Sequence, residues 1–110
     1  MFHVEQHGRA AVIHTEHELD LVTRDSFAAV LENVTEHNAN PVVVSLEQCT
    51  YVDSTALNVL IAMSKRIGSR LSVVIPLGNP CRRVFDICGM DKVMRISTSV
   101  DEALAATRAV

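Results

Sequence analysis

The residues whose types and order could do chemistry are Asp53-Ser54-Thr55, in the stretch Tyr51-Val52-Asp53-Ser54-Thr55-Ala56-Leu57. An apolar run, Val42-Val43-Val44, leads through a short polar loop to them, and Leu57, Leu60, Ile61, Ser64 and Ile67 follow at helical spacing. Two roles fit. Ser54 or Thr55 can cap the helix, its oxygen accepting from the unpaired amides of the first turn. A hydroxyl at that position is also presented at a surface end, where the partial positive charge of the helix start tolerates a phosphate.

Other reactive groupings fall short of a mechanism. A Ser–His–Asp hydrolase needs a nucleophile elbow of the form G-x-S-x-G, and no glycine flanks Ser54. Gly8, Gly68, Gly78 and Gly89 are scattered, so no glycine-rich phosphate loop is encoded. The five histidines, His3, His7, His14, His17 and His37, lie in the first third or so of the chain. His3 and His7 share a face of a strand, but their spacing specifies no metal geometry, and no metal or cofactor is expected. Cys49, Cys81 and Cys88 form no CxxC pair and read as reduced, structural thiols, with Cys81 and Cys88 on one helix face packing into the core. Asp86 on a short helix needs no special cause. No acid–base pair emerges, so an enzyme is not expected.

The elements that must position Asp53-Ser54-Thr55 are legible in part. Val4 and Ala11-Val12-Ile13 flank a turn at Gly8, which predicts a hairpin. His17-Glu18-Leu19-Asp20 reads as a polar loop. Thr23 is placed to cap a helix carrying the stripe Phe27, Val30, Leu31 and Val34, which ends at 38–41. The unalternating run 41–46 predicts a strand buried on both faces. The second helix runs from near Ser54 to Gly68, whose glycine suits a left-handed C-terminal position. A buried strand follows at 71–75. Asn79-Pro80 then opens a short helix that stops at Gly89, with Asn as cap and Pro at the first position. Val93 to Ile96 predicts the last strand. Ser99 and Glu102, at capping-box spacing, open a final helix through Leu104. After the hairpin, strands alternate with helices. This predicts an α/β fold: a mostly parallel central sheet of about five strands, an N-terminal hairpin and about four helices. The start of the second helix then opens at the carboxyl end of the sheet, where such folds place their sites.

Composition narrows the function classes. The 110 residues suit a single domain spanning 1–110 with one core, and 48% hydrophobic content sets the chain apart from disordered tails. With 4% aromatic residues and no Trp, the core must be built from Val, Leu, Ile, Met and Ala. The net charge of −3 and the lack of a basic run argue against nucleic acid and against an anionic membrane surface as partners. No apolar stretch approaches the roughly 18 residues that span a bilayer, and the first residues lack the pattern of a signal peptide. A cytoplasmic location without membrane insertion is expected.

Four groups in compatible order carry a resemblance to a known family: Glu18-Leu19-Asp20, Asp53-Ser54-Thr55-Ala56-Leu57, Arg83-Val84-Phe85-Asp86-Ile87-Cys88-Gly89-Met90 and Val100-Asp101-Glu102-Ala103-Leu104. Over nearly its whole length the chain resembles STAS domains of the anti-sigma factor antagonist type. The resemblance implies that Ser54, directly after the Asp, is the phosphoacceptor, with Thr55 as second choice. It implies a bacterial regulator that binds an anti-sigma factor, itself a serine kinase, and so releases a sigma factor. Phosphorylation by that kinase ends the interaction, and a metal-dependent phosphatase restores it. The implied partner surface comprises Glu18, Leu19, Asp20, Tyr51, Asp53, Ser54, Thr55 and Ala56, with Asn58 and Lys65 on the second helix. The chain departs from many relatives at His17, Ala56 and Asn58, where they carry glycine, and these changes bear on how a kinase approaches Ser54. The family also holds unphosphorylated accessory subunits of lipid-transport ABC systems and parts of larger signalling assemblies, which is the alternative reading.

Overall fold

The computed structural model describes residues 2–36 and 39–108. In chain order the elements are β1 (His3–His7), β2 (Ala10–His14), β3 (Glu18–Leu19), α1 (Arg24–Thr35), β4 (Val42–Ser45), β5 (Tyr51–Val52) and α2 (Ser54–Ile67). They continue with β6 (Leu71–Val74), α3 (Pro80–Ile87), β7 (Arg95–Ser97) and α4 (Val100–Arg108). Five strands form the main sheet in the order β1-β2-β4-β6-β7. β1 runs antiparallel to β2 and the remaining pairs are parallel. The expected α/β architecture, hairpin and four helices are all present.

Local chemistry explains each boundary that matters. His7 pairs with Ala10 across a two-residue turn, and Gly8 supplies its positive φ of 61°. β4 and β6 are buried on both faces, as their uninterrupted apolar runs predict. One face of the sheet, with Ile13, Val42, Val44, Leu71 and Val73, packs under Phe27 and Leu31 of α1 and Leu60 and Ile67 of α2. The other face, with Ala10, Val12, Val43 and Val74, meets Ala103 and Leu104 of α4. Full burial of side chains such as Leu31 or Leu60 contributes about 2 kcal/mol each from transfer alone. An exposed Glu32–Arg66 ion pair also joins α1 to α2, worth at most about 1 kcal/mol.

Two segments differ from the sequence expectation. The loops around Glu18 and Tyr51 each contain a two-residue strand, and β3 pairs in parallel with β5 as a small separate sheet. Glu18 stands opposite Tyr51 and Leu19 opposite Val52. His17 O accepts from Thr50 N and Tyr51 N, and Asp53 N donates to Leu19 O at 3.0 Å. Strands of two residues show no periodicity, so pairing across more than 30 positions is invisible in the sequence.

Thr23 is the second correction. It stands at the N-cap position of α1, and its carbonyl accepts from Phe27 N at 2.9 Å, but its backbone is in the αR region, with φ −92° and ψ −6°, and its side chain makes no cap hydrogen bond to the helix. Its hydroxyl instead accepts from Asp20 N at 3.0 Å. Asp20 Oδ1 accepts from Val22 N and Thr23 N at 3.0 and 3.1 Å. The reciprocal pair is a capping box set one turn earlier. The expected caps of α3 and α4 are found. Asn79 Oδ1 accepts from Cys81 N at 2.8 Å, and Ser99 Oγ accepts from Glu102 N at 3.1 Å. The Glu102 carboxylate completes only part of its box, bonding Thr98 rather than Ser99.

Candidate functional site

At the carboxyl end of the sheet, β5 delivers the chain directly into α2, so Asp53 becomes the N-cap and Ser54 the first helical residue. The cap is therefore Asp53, not Ser54 or Thr55. A carboxylate accepts more bonds than a hydroxyl, and Asp53 uses both oxygens. Oδ1 accepts from Thr55 N at 3.0 Å, Ala56 N at 3.3 Å and Thr55 Oγ1 at 2.5 Å. Oδ2 accepts from Leu21 N at 3.1 Å, which ties the 20–23 turn to the start of α2. The Thr55 hydroxyl bond, followed by the backbone donors of Ala56, Thr55 and Leu21, holds the Asp53 pKa below the usual carboxylate value. Asp53 is thus an anion at neutral pH, fixed beside Ser54.

This division of labour separates the two hydroxyls. Thr55 is half-buried and its hydroxyl is committed to Asp53. Ser54 is exposed, and among the described residues its hydroxyl makes no hydrogen bond. Nothing has to be broken to modify or engage it.

The remaining predicted surface residues sort by burial. Glu18, Tyr51 and Asn58 are exposed and Asp20 is half-buried, all grouped at this end. Lys65 is exposed on the same face of α2 but three turns on, about 16 Å along the helix, so it does not join the Ser54 group. Leu19 and Ala56 correct the expectation. They are 0% and 1% exposed and present no side chain to a partner. Leu19 fastens β3 to the core, and Ala56 packs the first turn of α2 down.

Sequence reasoning missed two surface residues. Leu21 and Val22, at 68% and 89% exposed, project from the turn that Asp20 and Thr23 close. With Tyr51, 54% exposed, they place apolar side chains beside a free hydroxyl. The signal was available: both are apolar, stand between Asp20 and Thr23, and fall off the Phe27–Leu31 stripe.

The cysteines and histidines also resolve. Cys49 and Cys81 are buried beneath the site with sulfurs 3.7 Å apart, and all three thiols are free. The hydrogen bond from Cys81 lowers the Cys49 thiol pKa to about 7 against the opposing effect of burial, and raises that of Cys81. Cys88 is exposed: α3 ends at Ile87 and Cys88 stands at its C-cap before Gly89, so the expected core packing of Cys88 is wrong. His3, His7 and His14 do share one sheet face around Glu5, with Nε2 of His14 and His7 at 2.6 and 3.5 Å from its carboxylate. Among the described residues, no group of three or more His, Cys, Asp or Glu side chains could hold a metal. His17 is exposed, and His37 lies outside the described residues. No helix among the described residues is long and apolar enough to cross a membrane.

Comparison with known proteins agrees with this architecture. The anti-sigma-F factor antagonist RsfB of Mycobacterium tuberculosis is 28% identical over 106 residues, covering 96% of this chain and 87% of the relative. The crystal structure of an anti-sigma factor antagonist from Mycobacterium paratuberculosis superposes with a TM-score of 0.89 at 26% identity, covering 98% of this chain and 93% of that one. The anti-sigma factor antagonist SpoIIAA, in its unphosphorylated form, shares the fold with a TM-score of 0.78 at 19% identity, covering 100% and 98%. The STAS domain model itself matches residues 1–103, and the chain belongs to the STAS domain family.

Proposed function

We propose that this protein is an anti-sigma factor antagonist: it binds an anti-sigma factor through the carboxyl end of its sheet and is switched off by phosphorylation of Ser54. The observation that carries the reading is the contrast at the start of α2. Asp53 takes over the capping duty and binds the Thr55 hydroxyl, which leaves Ser54 exposed and unbonded at the helix N-terminus. The exposed apolar trio Leu21, Val22 and Tyr51 supplies desolvation energy for docking. Glu18, Asp20 and Asn58 supply polar contacts around it. The names of RsfB and of the mycobacterial antagonist structure support the same assignment. The partner is an anti-sigma factor with serine kinase activity, a metal-dependent phosphatase reverses the modification, and the setting is the bacterial cytoplasm. The domain acts by binding and catalyses nothing itself.

The test is intact-protein mass and peptide mapping after the domain is mixed with ATP, magnesium and the anti-sigma kinases of its own genome. One added phosphate on Ser54, absent from Ser54→Ala, is the expected result. Stable binding to one of these proteins with no phosphate transferred would remove the switch and favour an unphosphorylated accessory role.

A further inference from the structure

Beneath the carboxyl end of the sheet, Cys49 and Cys81 face each other with their sulfurs 3.7 Å apart, 0% and 1% exposed. One shared anchor fixes both backbones. Leu46 O accepts from Cys49 N and from Asn79 Nδ2, each at 3.0 Å, and Asn79 Oδ1 accepts from Cys81 N at 2.8 Å. The segment before β5 and the start of α3 are thus held at one spacing, with the two thiols in contact. The docking surface proposed above uses neither sulfur.

The two thiols are not equivalent. Cys81 Sγ donates to the Cys49 sulfur and lies 3.5 Å from Cys49 O. That hydrogen bond from Cys81 chiefly lowers the Cys49 pKa against the effect of burial, with help from Tyr51, Leu19 and Thr15. The same bond, and burial with it, raises the pKa of Cys81. Cys49 therefore has the thiolate character of a nucleophile, and Cys81 is a protonated thiol in contact with it. Space filling alone asks for neither the contact nor the asymmetry.

We propose that Cys49 and Cys81 are a redox site that closes to an intramolecular disulfide on exposure to a peroxide. The Cys49 thiolate attacks one peroxide oxygen and the O–O bond breaks. The departing hydroxide takes up the proton that Cys49 released to solvent and leaves as water, and Cys49 becomes a sulfenic acid. The Cys81 sulfur then attacks the Cys49 sulfur. The S–O bond breaks as the S–S bond forms, and the leaving hydroxide takes the Cys81 proton as a second water. The two sulfurs lose two electrons in all, and the two peroxide oxygens gain them. β3 abuts Cys49 through Leu19. A strand of two residues opens locally at lower cost than the central sheet, which admits a small oxidant without unfolding the core. The closed bond ties the segment that delivers Tyr51 and Asp53 to the start of α3, and a thiol reductant reopens it. The site rests on the thiol geometry and not on the reading of Ser54.

The test is timed treatment of the reduced, folded full chain with hydrogen peroxide, quenched with catalase, then alkylation with N-ethylmaleimide under denaturing conditions and mass spectrometry. Two of the three alkylation sites should be lost, with Cys88 still labelled and a peptide map that joins Cys49 to Cys81. Dithiothreitol should restore all three. Cys81→Ser should stop the reaction at a sulfenic acid on Cys49, trapped by dimedone, and Cys88→Ser should leave the yield of the bond unchanged. The wild-type map is decisive even if Cys81→Ser does not fold. The proposal is overturned if all three cysteines stay free, if Cys88 alone is oxidised, if the bond formed includes Cys88, or if Cys49 joins Cys81 only in urea-unfolded chain.

Discussion

Placing a phosphate on Ser54 breaks no hydrogen bond in the free domain, because that hydroxyl has none among the described residues. The new group carries about −1.5 to −2 charges at pH 7. It arrives beside Asp53, which its four hydrogen bonds keep ionised. In the free domain water screens that repulsion, and the start of α2 offsets at most about 2 kcal/mol of it. In a docked interface the same phosphate is enclosed, with Asp53 and Asp20 nearby and the exposed apolar side chains of Leu21, Val22 and Tyr51 around it. A mispaired enclosed charge costs about 3 kcal/mol. The helix end acts in free and bound states alike, so nearly all of that cost appears in binding. Affinity for the anti-sigma factor should therefore fall more than a hundredfold, while Tm stays close to that of the unmodified domain. Calorimetric titration of the unmodified and phosphorylated protein, each with a thermal melt, measures both quantities. A loss of affinity that merely follows a loss of folding, or phosphorylated protein that binds as tightly as unmodified, would refute the reasoning.

Further outcomes follow from the same geometry. Ser54→Ala should leave stability within about 0.5 kcal/mol, whereas Thr55→Val should lower Tm because it strips a hydrogen bond from the cap; equal melts would contradict the division between the hydroxyls. Leu19→Ala should cost about 2–5 kcal/mol in urea unfolding and weaken partner binding by loosening β3, although Leu19 itself touches no solvent. Asn79→Ala removes both the bond from Cys81 N and the donation from Nδ2 to Leu46 O at 3.0 Å, and should cost about 1–2 kcal/mol in the same assay. The folded-state pKa of Asp53 is lowered, so its contribution is fully present above the unfolded value of about 4 and is lost as pH falls through the folded value. Denaturation curves at pH 7 and about pH 3 should show a smaller acid loss in Asp53→Asn than in wild type.

Much of this was legible because local pattern and tertiary structure agree. The Val42–Val44 run, the α1 stripe of Phe27 and Leu31, and the Asn79-Pro80 start each state their element within a few residues. The hydroxyl pair at the head of α2 was equally visible, but which residue caps was not. That depends on Asp53 reaching both its own helix and Leu21, a contact across 32 positions. The β3–β5 pairing and the Cys49–Cys81 contact share this property. Each joins short, aperiodic segments that only the strand order β1-β2-β4-β6-β7 brings together. Cys88 failed for a different reason: helical spacing placed it with Cys81, but α3 ends there and the face it would share is no longer covered.

The central claim is that the carboxyl end of the sheet is the surface that holds an anti-sigma factor. Its most direct test is the amide NMR footprint of that partner on the isotope-labelled domain. The account predicts perturbation concentrated at residues 18–23 and 50–58, lost when Leu21 and Val22 are both changed to Ser. A footprint on α4 or on the β1 face, or no binding by any anti-sigma factor of the same genome, would contradict it.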